Sequence, residues 1–478
     1  MSLFFEKSYK WNNGGVMEKK KASFSGGLGF VLAAAGSAVG LGNIWRFPYL
    51  AAKDGGGLFL LVYIILALTF GFVLLTTDIG IGRRTKKSAL KAYESVNSKW
   101  KFLGVLTFIV PALIMTYYSV IGGWITKYIV VFTTGNAKEA AKDGYFNDFI
   151  SSKAAPIVFM LIFLAMTSVI VYLGVEKGIE KFSKIIMPGL LIVVVLIGIF
   201  SLTLSYKAED GTVRTGLQGL FVYLVPNFDG LTVQKFIGIV MDAMGQLFYS
   251  LSVAMGIMIT YGSYVKDDVD LNKSIRNIEI FDTMAAFLAG LMIIPAVYVF
   301  MGKEGMSEGP SLMFVSLPKI FEEMGPIGNF VGVVFFFMVL FAALTSSVSI
   351  METLVASCME KFNKSRKAVS LVMALIYAGA AAVICLGYNV LYFEVKLPNG
   401  AIGNLLDIMD YLSNYVLMPV IAILTCVLIG WIVKPKYIID EVKKNNTSFK
   451  REGLYTVMVK DVAPVMLVVL LLKSLGLF

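Results

Sequence analysis

Histidine is missing altogether from the 478 residues. That excludes a histidine-ligated metal, a Ser-His nucleophile pair and a histidine proton relay. Cysteine occurs three times, at Cys358, Cys385 and Cys426, each in or at the end of an apolar run. The spacing fits no zinc motif and offers no disulfide framework. Charge is scarce too: Asp, Glu, Lys and Arg make up 15% of the chain. A water-soluble protein of this length needs far more polar surface than that. Residues 1–24 carry Lys but no apolar stretch before a small-residue cleavage site, so they do not read as a secretory signal. Met17 stands directly before a basic run and is a second candidate start, so no function is assigned to residues 1–16. No acid–base pair or nucleophile constellation is visible, which argues against an enzyme.

What is present is apolar. Hydrophobic residues make up 57%, and the mean hydropathy is +0.78. Eleven stretches are long enough to cross a bilayer as helices of about 20 residues. They fall near 25–51, 57–82, 103–134, 154–173, 179–205, 235–264, 274–301, 327–361, 366–387, 404–433 and 454–477. Backbone groups in lipid must pair internally, and the period-2 alternation of a barrel is absent, so an all-α polytopic membrane protein is expected. Its parts are a cytoplasmic segment 1–24, halves 25–205 and 235–433, and a last span 454–477. With the N-terminus inside, the inner segments hold 28 Lys and Arg against 8 in the outer loops. The net charge of +10 is therefore a topology signal and not a nucleic-acid surface. The C-terminus then lies outside. Residues 304–325 read as a short helical hairpin over the outer mouth, because Met313, Phe314, Leu317, Ile320 and Phe321 keep helical spacing.

Two spans are interrupted. Residues 36–48, "GSAVGLGNIWRFP", put three glycines, Asn43 and Arg46 inside an apolar run. A small-residue packing face would explain Gly36 and Gly40, but not Asn43 or Arg46. Residues 245–256, "GQLFYSLSVAMG", repeat the pattern in span six. Ser back-bonding to the helix is the plainer reading of that stretch alone. Yet spans one and six hold corresponding places in two five-helix halves, and paired interruptions are the best sequence pointer to a transporter binding site.

These strings, with "TYYSVIGGW", "ITYGSYV", "LAGLMIIPA" and "ALTSSVSIME", resemble the neurotransmitter:sodium symporter family, in its leucine-transporter-like bacterial branch of eleven spans. The resemblance runs over roughly residues 20–433. It implies a 5+5 inverted repeat with broken helices one and six, and sodium-coupled import of an α-amino acid by alternating access. One Na⁺ site would use the Ala38 carbonyl, Asn43, Ser250 and Asp282. A second would use the carbonyls of Gly36, Val39 and Ala342 and the hydroxyls of Thr345 and Ser346. Oxygen-only ligation suits a hard cation. The substrate carboxylate would meet the amides of Leu41 and Gly42 and the Tyr118 hydroxyl, and its ammonium the carbonyls of Ala38, Tyr249 and Ser250 with Ser252. Gly40 stands where amine-carrying members have an acid. The side-chain pocket would be walled by Ile114, Tyr118, Tyr249 and Met255, closed by Ser346, Ser349 and Ile350. That wall favours a hydrophobic or aromatic amino acid.

The resemblance also implies gates. Outside, Arg46 would pair with Asp410, with Asp407 as a competing acid. Inside, Lys21 would pair with Glu360 beside Phe24 and Tyr264. Animal members need chloride; Asp282 supplies a fixed negative charge, so no chloride requirement is expected. The expected setting is the bacterial inner membrane, with lipid and a small-molecule amino acid as partners; a homodimer is compatible with the sequence. A proton-coupled or uniport carrier of the same fold, and a non-transporting amino-acid sensor, are the competing readings.

Overall fold

The apolar runs become helices at nearly the predicted limits. The structure is a computed structural model that describes residues 9–11, 17–19, 22–207, 211–302, 312–444 and 447–477. Among the described residues nine continuous helices are long and apolar enough to cross a membrane. They are Gly57–Thr85, Ser98–Thr133, Ala155–Leu173, Val175–Leu202, Leu271–Met301, Pro326–Phe362, Arg366–Leu386, Leu405–Ile432 and Glu452–Ser474. A tenth crossing is a bent pair, Gly27–Ala38 and Gly42–Lys53, at 53° to each other. Helices Val233–Ser250 and Ile257–Ser263 form the other interrupted segment, numbered with the spans as the sixth. Numbered in chain order, the interrupted spans are one and six.

Burial sorts these spans. In their most apolar windows, 72% of span two and 61% of spans seven and eight are buried within the protein, against 28% of span five and 33% of spans nine and eleven. The first group forms the centre around the two breaks, and the second faces lipid. Leu196, Ile192 and Leu375 stand outward at 60% exposure or more, as an apolar solvent permits.

The breaks have identifiable causes. Span one stops at Val39, whose ψ of 77° turns the chain out of the helix. The Gly40 amide then bonds the Ala38 carbonyl, a local turn in place of the helical ladder. Span six stops at Leu251 and resumes at Ile257. Between them Ser252, Ala254 and Gly256 lie at φ of 52°, 58° and 77°. Two of these are not glycine, and each left-handed residue costs roughly 1–2 kcal/mol. Neighbouring spans hold them there. Asp78 of span two accepts from the Ala254 amide at 2.9 Å, and the Ser252 hydroxyl donates to the Ser37 carbonyl of span one at 3.2 Å.

Outside the membrane, Leu312–Ser316 and Leu317–Glu323 form the second limb of the expected hairpin. Residues 303–311, its first limb, lie outside the described residues. Phe314 stacks on Phe146 at 5.0 Å, and its carbonyl accepts from Tyr128 at 2.6 Å. This aromatic contact pins the limb over spans three and four. At the opposite end, buried Arg83 pairs with Glu441 at 2.6 Å, tying span two to the short helix Lys436–Val442.

Asp78→Leu leaves the Ala254 amide without a partner, at a cost of about 1–3 kcal/mol. Thermal unfolding of the detergent-solubilised chain is expected to shift to lower temperature. Asp78→Asn keeps an acceptor and is expected to melt close to wild type; equal melting of all three would show that Asp78 does not hold the break.

Candidate functional site

The two breaks meet at the centre, and their freed polar groups face each other. Asp282 of span seven is fully buried there. Its carboxylate accepts from Asn43 Nδ2 at 2.8 Å, Ser250 Oγ at 3.2 Å and the Tyr63 hydroxyl at 3.3 Å. Asn43 Oδ1, equally buried, has no hydrogen-bond partner. An unpaired amide oxygen beside a buried carboxylate and two hydroxyls is a set of oxygen donors of the kind that suits a small hard cation. The cluster is thus chemically fit for one monovalent ion.

A second group of oxygens lies between spans one and eight. A Cβ on Gly36 would lie 3.4 Å from Thr345 Cβ, so the two backbones are in close approach. The Thr345 hydroxyl donates to the Ala342 carbonyl at 2.9 Å. The Ser346 hydroxyl reaches across to the Ser37 carbonyl at 3.0 Å. Gly36, Ala342, Thr345 and Ser346 are therefore near neighbours at the end of the first half-helix, beside the turn at Val39.

Between the breaks is a cavity of about 20 Å³, room for about one water. Ala38, Gly40, Leu41 and Gly42 form one side of it. Ile114, Tyr118, Tyr249 and Met255 form another, and Ser252, Ser346 and Ile350 complete it. Ser250 turns its hydroxyl to Asp282, beside Asn43 as expected. One of the expected wall residues is elsewhere. Ser349 accepts from the Tyr261 hydroxyl at 2.8 Å and donates to the Thr345 carbonyl, so it faces span six and not the cavity. Ser37 and Ile257 line it instead. The Tyr118 hydroxyl is buried, unpartnered and close to Ser346 and the Leu41 backbone. Both glycines are closely packed, so that a larger residue would displace a neighbouring side chain: a Cβ on Gly40 would sit 2.4 Å from Ser346 Oγ, and one on Gly42 2.3 Å from Tyr249 Cδ1.

Above Tyr249 the protein opens into a vestibule of about 650 Å³. The Arg46 guanidinium sits 5.8 Å from the rings of both Tyr249 and Tyr415. Asp410 belongs to its electrostatic surroundings without a direct hydrogen bond; its carboxylate accepts from Asn414 at 2.6 Å. Asp407 caps its own helix by accepting from the Asn404 amide, which removes it as the competing acid. At the rim Lys53 and Lys473 both reach Asp242, at 2.7 and 3.3 Å. Burial, with Asp242 beside it, pushes the Asp54 carboxyl well above the usual carboxylate range.

The inner side differs from expectation. Lys21 lies outside the described residues. Phe24 packs edge-on against Tyr261 and Tyr264. The Tyr264 hydroxyl donates to Glu352 at 2.5 Å, and Arg366 forks onto the same carboxylate at 2.5 and 2.8 Å. Glu360, two helical turns further along span eight, accepts instead from the Ser88 amide and pairs with Lys87 at 3.2 Å. The acid beneath the cavity is therefore Glu352, because only its turn of the helix faces span six. Tyr63, Glu352 and Arg366 were not singled out by sequence; for Tyr63 and Glu352 the available signal was a polar atom inside an apolar run, while Arg366 stands in the basic string "KSRK" with nothing to mark it.

Comparison with known proteins gives a consistent setting. A profile of the sodium:neurotransmitter symporter family matches residues 21–142 and 146–478. YhdH, a sodium-dependent transporter of Bacillus subtilis, is 33% identical over 468 residues, covering 96% of this chain and 99% of its own. A sodium-dependent transporter of Haemophilus influenzae is 31% identical over 476 residues, covering 96% and 99%. The fold is similar to that of MhsT solved in complex with L-phenylalanine, with a TM-score of 0.82 and 34% identity. That match covers 95% of this chain and 100% of the other.

Arg366→Leu strands the Glu352 carboxylate in the interior, at a cost of about 3–5 kcal/mol. The single variant is expected to melt well below wild type, and the double variant Arg366→Leu, Glu352→Leu to recover most of the loss. A double variant no better than the single would mean that the pair is not the interaction being broken.

Proposed function

The chain belongs to the sodium:neurotransmitter symporter family, and from that premise we propose that it carries a hydrophobic or aromatic α-amino acid inward together with Na⁺ by alternating access. Membership makes it a multi-pass sodium-dependent transporter and not an enzyme. The amino acid, the number of ions and the gates are our reading.

The observation that carries it is the pair of unpartnered buried oxygens at the first break, Asn43 Oδ1 and the Tyr118 hydroxyl. Each lacks a partner where burial without one costs about 1–3 kcal/mol. A cation between Asn43, Asp282 and Ser250 answers the first. A substrate carboxylate between Tyr118, the Leu41 and Gly42 amides and that cation answers the second. An amine without a carboxylate would need an acid near Gly40, and this chain has a glycine there, with Ser346 Oγ packed against it. The α-ammonium would be left to the carbonyls of the second break and to Ser252. Ile114, Met255 and Ile350 supply an apolar wall for the side chain, which favours hydrophobic substrates. That the likeness to MhsT extends to a complex with L-phenylalanine supports this choice.

The cavity must widen to admit such a ligand, and the Tyr249 ring is the part best placed to move. It lies between the cavity and the vestibule and carries Arg46 above it. In the outward form Asp410 and Arg46 would close over the loaded site. In the inward form the contact of Tyr264 with Glu352 would part. Gly36, Val39, Ala342, Thr345 and Ser346 would hold a second Na⁺ between spans one and eight, coupling the half-helix to its neighbour. Two ions crossing with one zwitterion gain about 4.6 kcal/mol per 100 mV, roughly three orders of magnitude in accumulation. Asp282 would stand in for chloride. We place the protein in the bacterial plasma membrane with its N-terminus in the cytoplasm, on the strength of the basic inner loops.

Reconstituted in liposomes, the chain is expected to accumulate labelled apolar amino acids under an inward Na⁺ gradient and not under K⁺. Accumulation driven only by a proton gradient would overturn the ion. Asp282→Asn is expected to raise the half-saturating Na⁺ concentration about thirtyfold, as removal of one partner of a buried charge costs about 2 kcal/mol or more. Wild-type uptake is expected to be equal in chloride and gluconate; dependence on chloride would remove Asp282 from that role.

A further inference from the structure

A second concavity is far larger than the central site. It is a groove of about 820 Å³ on the lipid-facing side, between spans two and seven, under the loop that precedes span eleven. Its body is apolar. Leu60, Ile64 and Leu68 follow one stripe of span two, and Ile280, Met284 and Phe287 one stripe of span seven. These are open residues: Ile280 is 54% exposed and Leu68 51%. At the top the groove ends on Tyr63, the residue whose hydroxyl touches Asp282.

Its other end is polar and positive. Arg451 pairs with Glu279 at 2.6 Å and lies 3.6 Å over the Phe72 ring, so that pair is internally neutral. Arg276 and Lys450 also line this end, both exposed, and among the described residues neither forms an ion pair. Asn272 donates to the Ser448 carbonyl at 2.8 Å and binds the loop to span seven, which fixes the rim. The polar end therefore carries two uncompensated positive charges on a held loop. It lies at the end of span seven that the basic loops assign to the cytoplasm.

The length sets the occupant. From Arg276 to Phe287 span seven rises about 16 Å, close to half of the roughly 30 Å hydrocarbon thickness. The groove thus spans one leaflet, with a cationic clamp at the headgroup end and an apolar trough behind it. We infer that it holds one anionic phospholipid of the inner leaflet, its phosphate between Arg276 and Lys450. One acyl chain lies along Leu68, Ile64, Ile280 and Met284. A soluble anion would have no use for the trough, and a neutral lipid would leave the clamp unpaired.

Native mass spectrometry of the full chain in detergent, with phosphatidylglycerol and phosphatidylcholine added in equal amounts, tests this. Wild type is expected to retain one phosphatidylglycerol in preference. Arg276→Gln with Lys450→Gln is expected to weaken that retention about thirtyfold, at about 1 kcal/mol per charge, and to leave phosphatidylcholine unchanged. Met284→Trp fills the trough with both charges intact and is expected to abolish the preference. Unchanged melting of both variants shows that the fold is kept. Equal retention of the two lipids by wild type, or wild-type retention by both variants, would overturn the site and leave a non-specific lipid belt. Retention is read without Na⁺ or substrate, so failure here is separate from failure of the transport reading.

Discussion

A peptide group left unpaired in hydrocarbon costs several kcal/mol, and two helices of this protein stop in the middle of it. Everything at the centre follows from how those stops are tolerated. The Gly42 carbonyl accepts from Gln246 of the other broken span at 3.0 Å, and Ser37 receives hydroxyls from spans six and eight. Asp78 holds the amide of Ala254. Each break is satisfied mainly by side chains from other spans, so neither half-helix is free to choose its conformation alone. Coupling between the breaks is thus a property of hydrogen-bond supply before any ligand arrives.

Buried charge obeys the same rule. Glu352 has Arg366, Arg83 has Glu441, and Glu279 has Arg451. Asp282 differs, since its partners among the described residues are an amide and two hydroxyls and none is a cation. Burial of an ionised carboxylate with neutral donors only is expensive. Asp78 shares this condition, with the Ala254 amide as its neutral donor, so the two carboxylates held without a cation both stand beside the breaks.

The spans were legible because length and apolarity in a bilayer leave helix as the only choice. Their ends agree to within five residues, and both interruptions were visible as glycine, amide and hydroxyl clusters. Side-chain direction was less accessible. Glu352 and Glu360 sit on one helix two turns apart, and only the position of Tyr264 and Arg366 separates them. Ser349 lies a turn from Ser346, yet rotation about the helix axis carries it to Tyr261. Tyr63 is one hydroxyl in the run "LVYIIL", with no local neighbour to mark it. Its meaning comes wholly from long-range packing. Asp407 and Asp410 were told apart by a helix cap, a local signal that the string "NLLD" does carry.

Span eleven is mostly bathed in lipid, which invites its dismissal as an appendage. Its last turn says otherwise: Lys473 shares Asp242 with Lys53, and Leu470 and Ser474 form part of the vestibule wall. Tyr411 of span ten also donates to the Ser474 carbonyl at 2.9 Å. The final helix is therefore a stave of the outer funnel. A chain trimmed before it would keep every residue of the central site, yet its mouth would gape sideways into the bilayer.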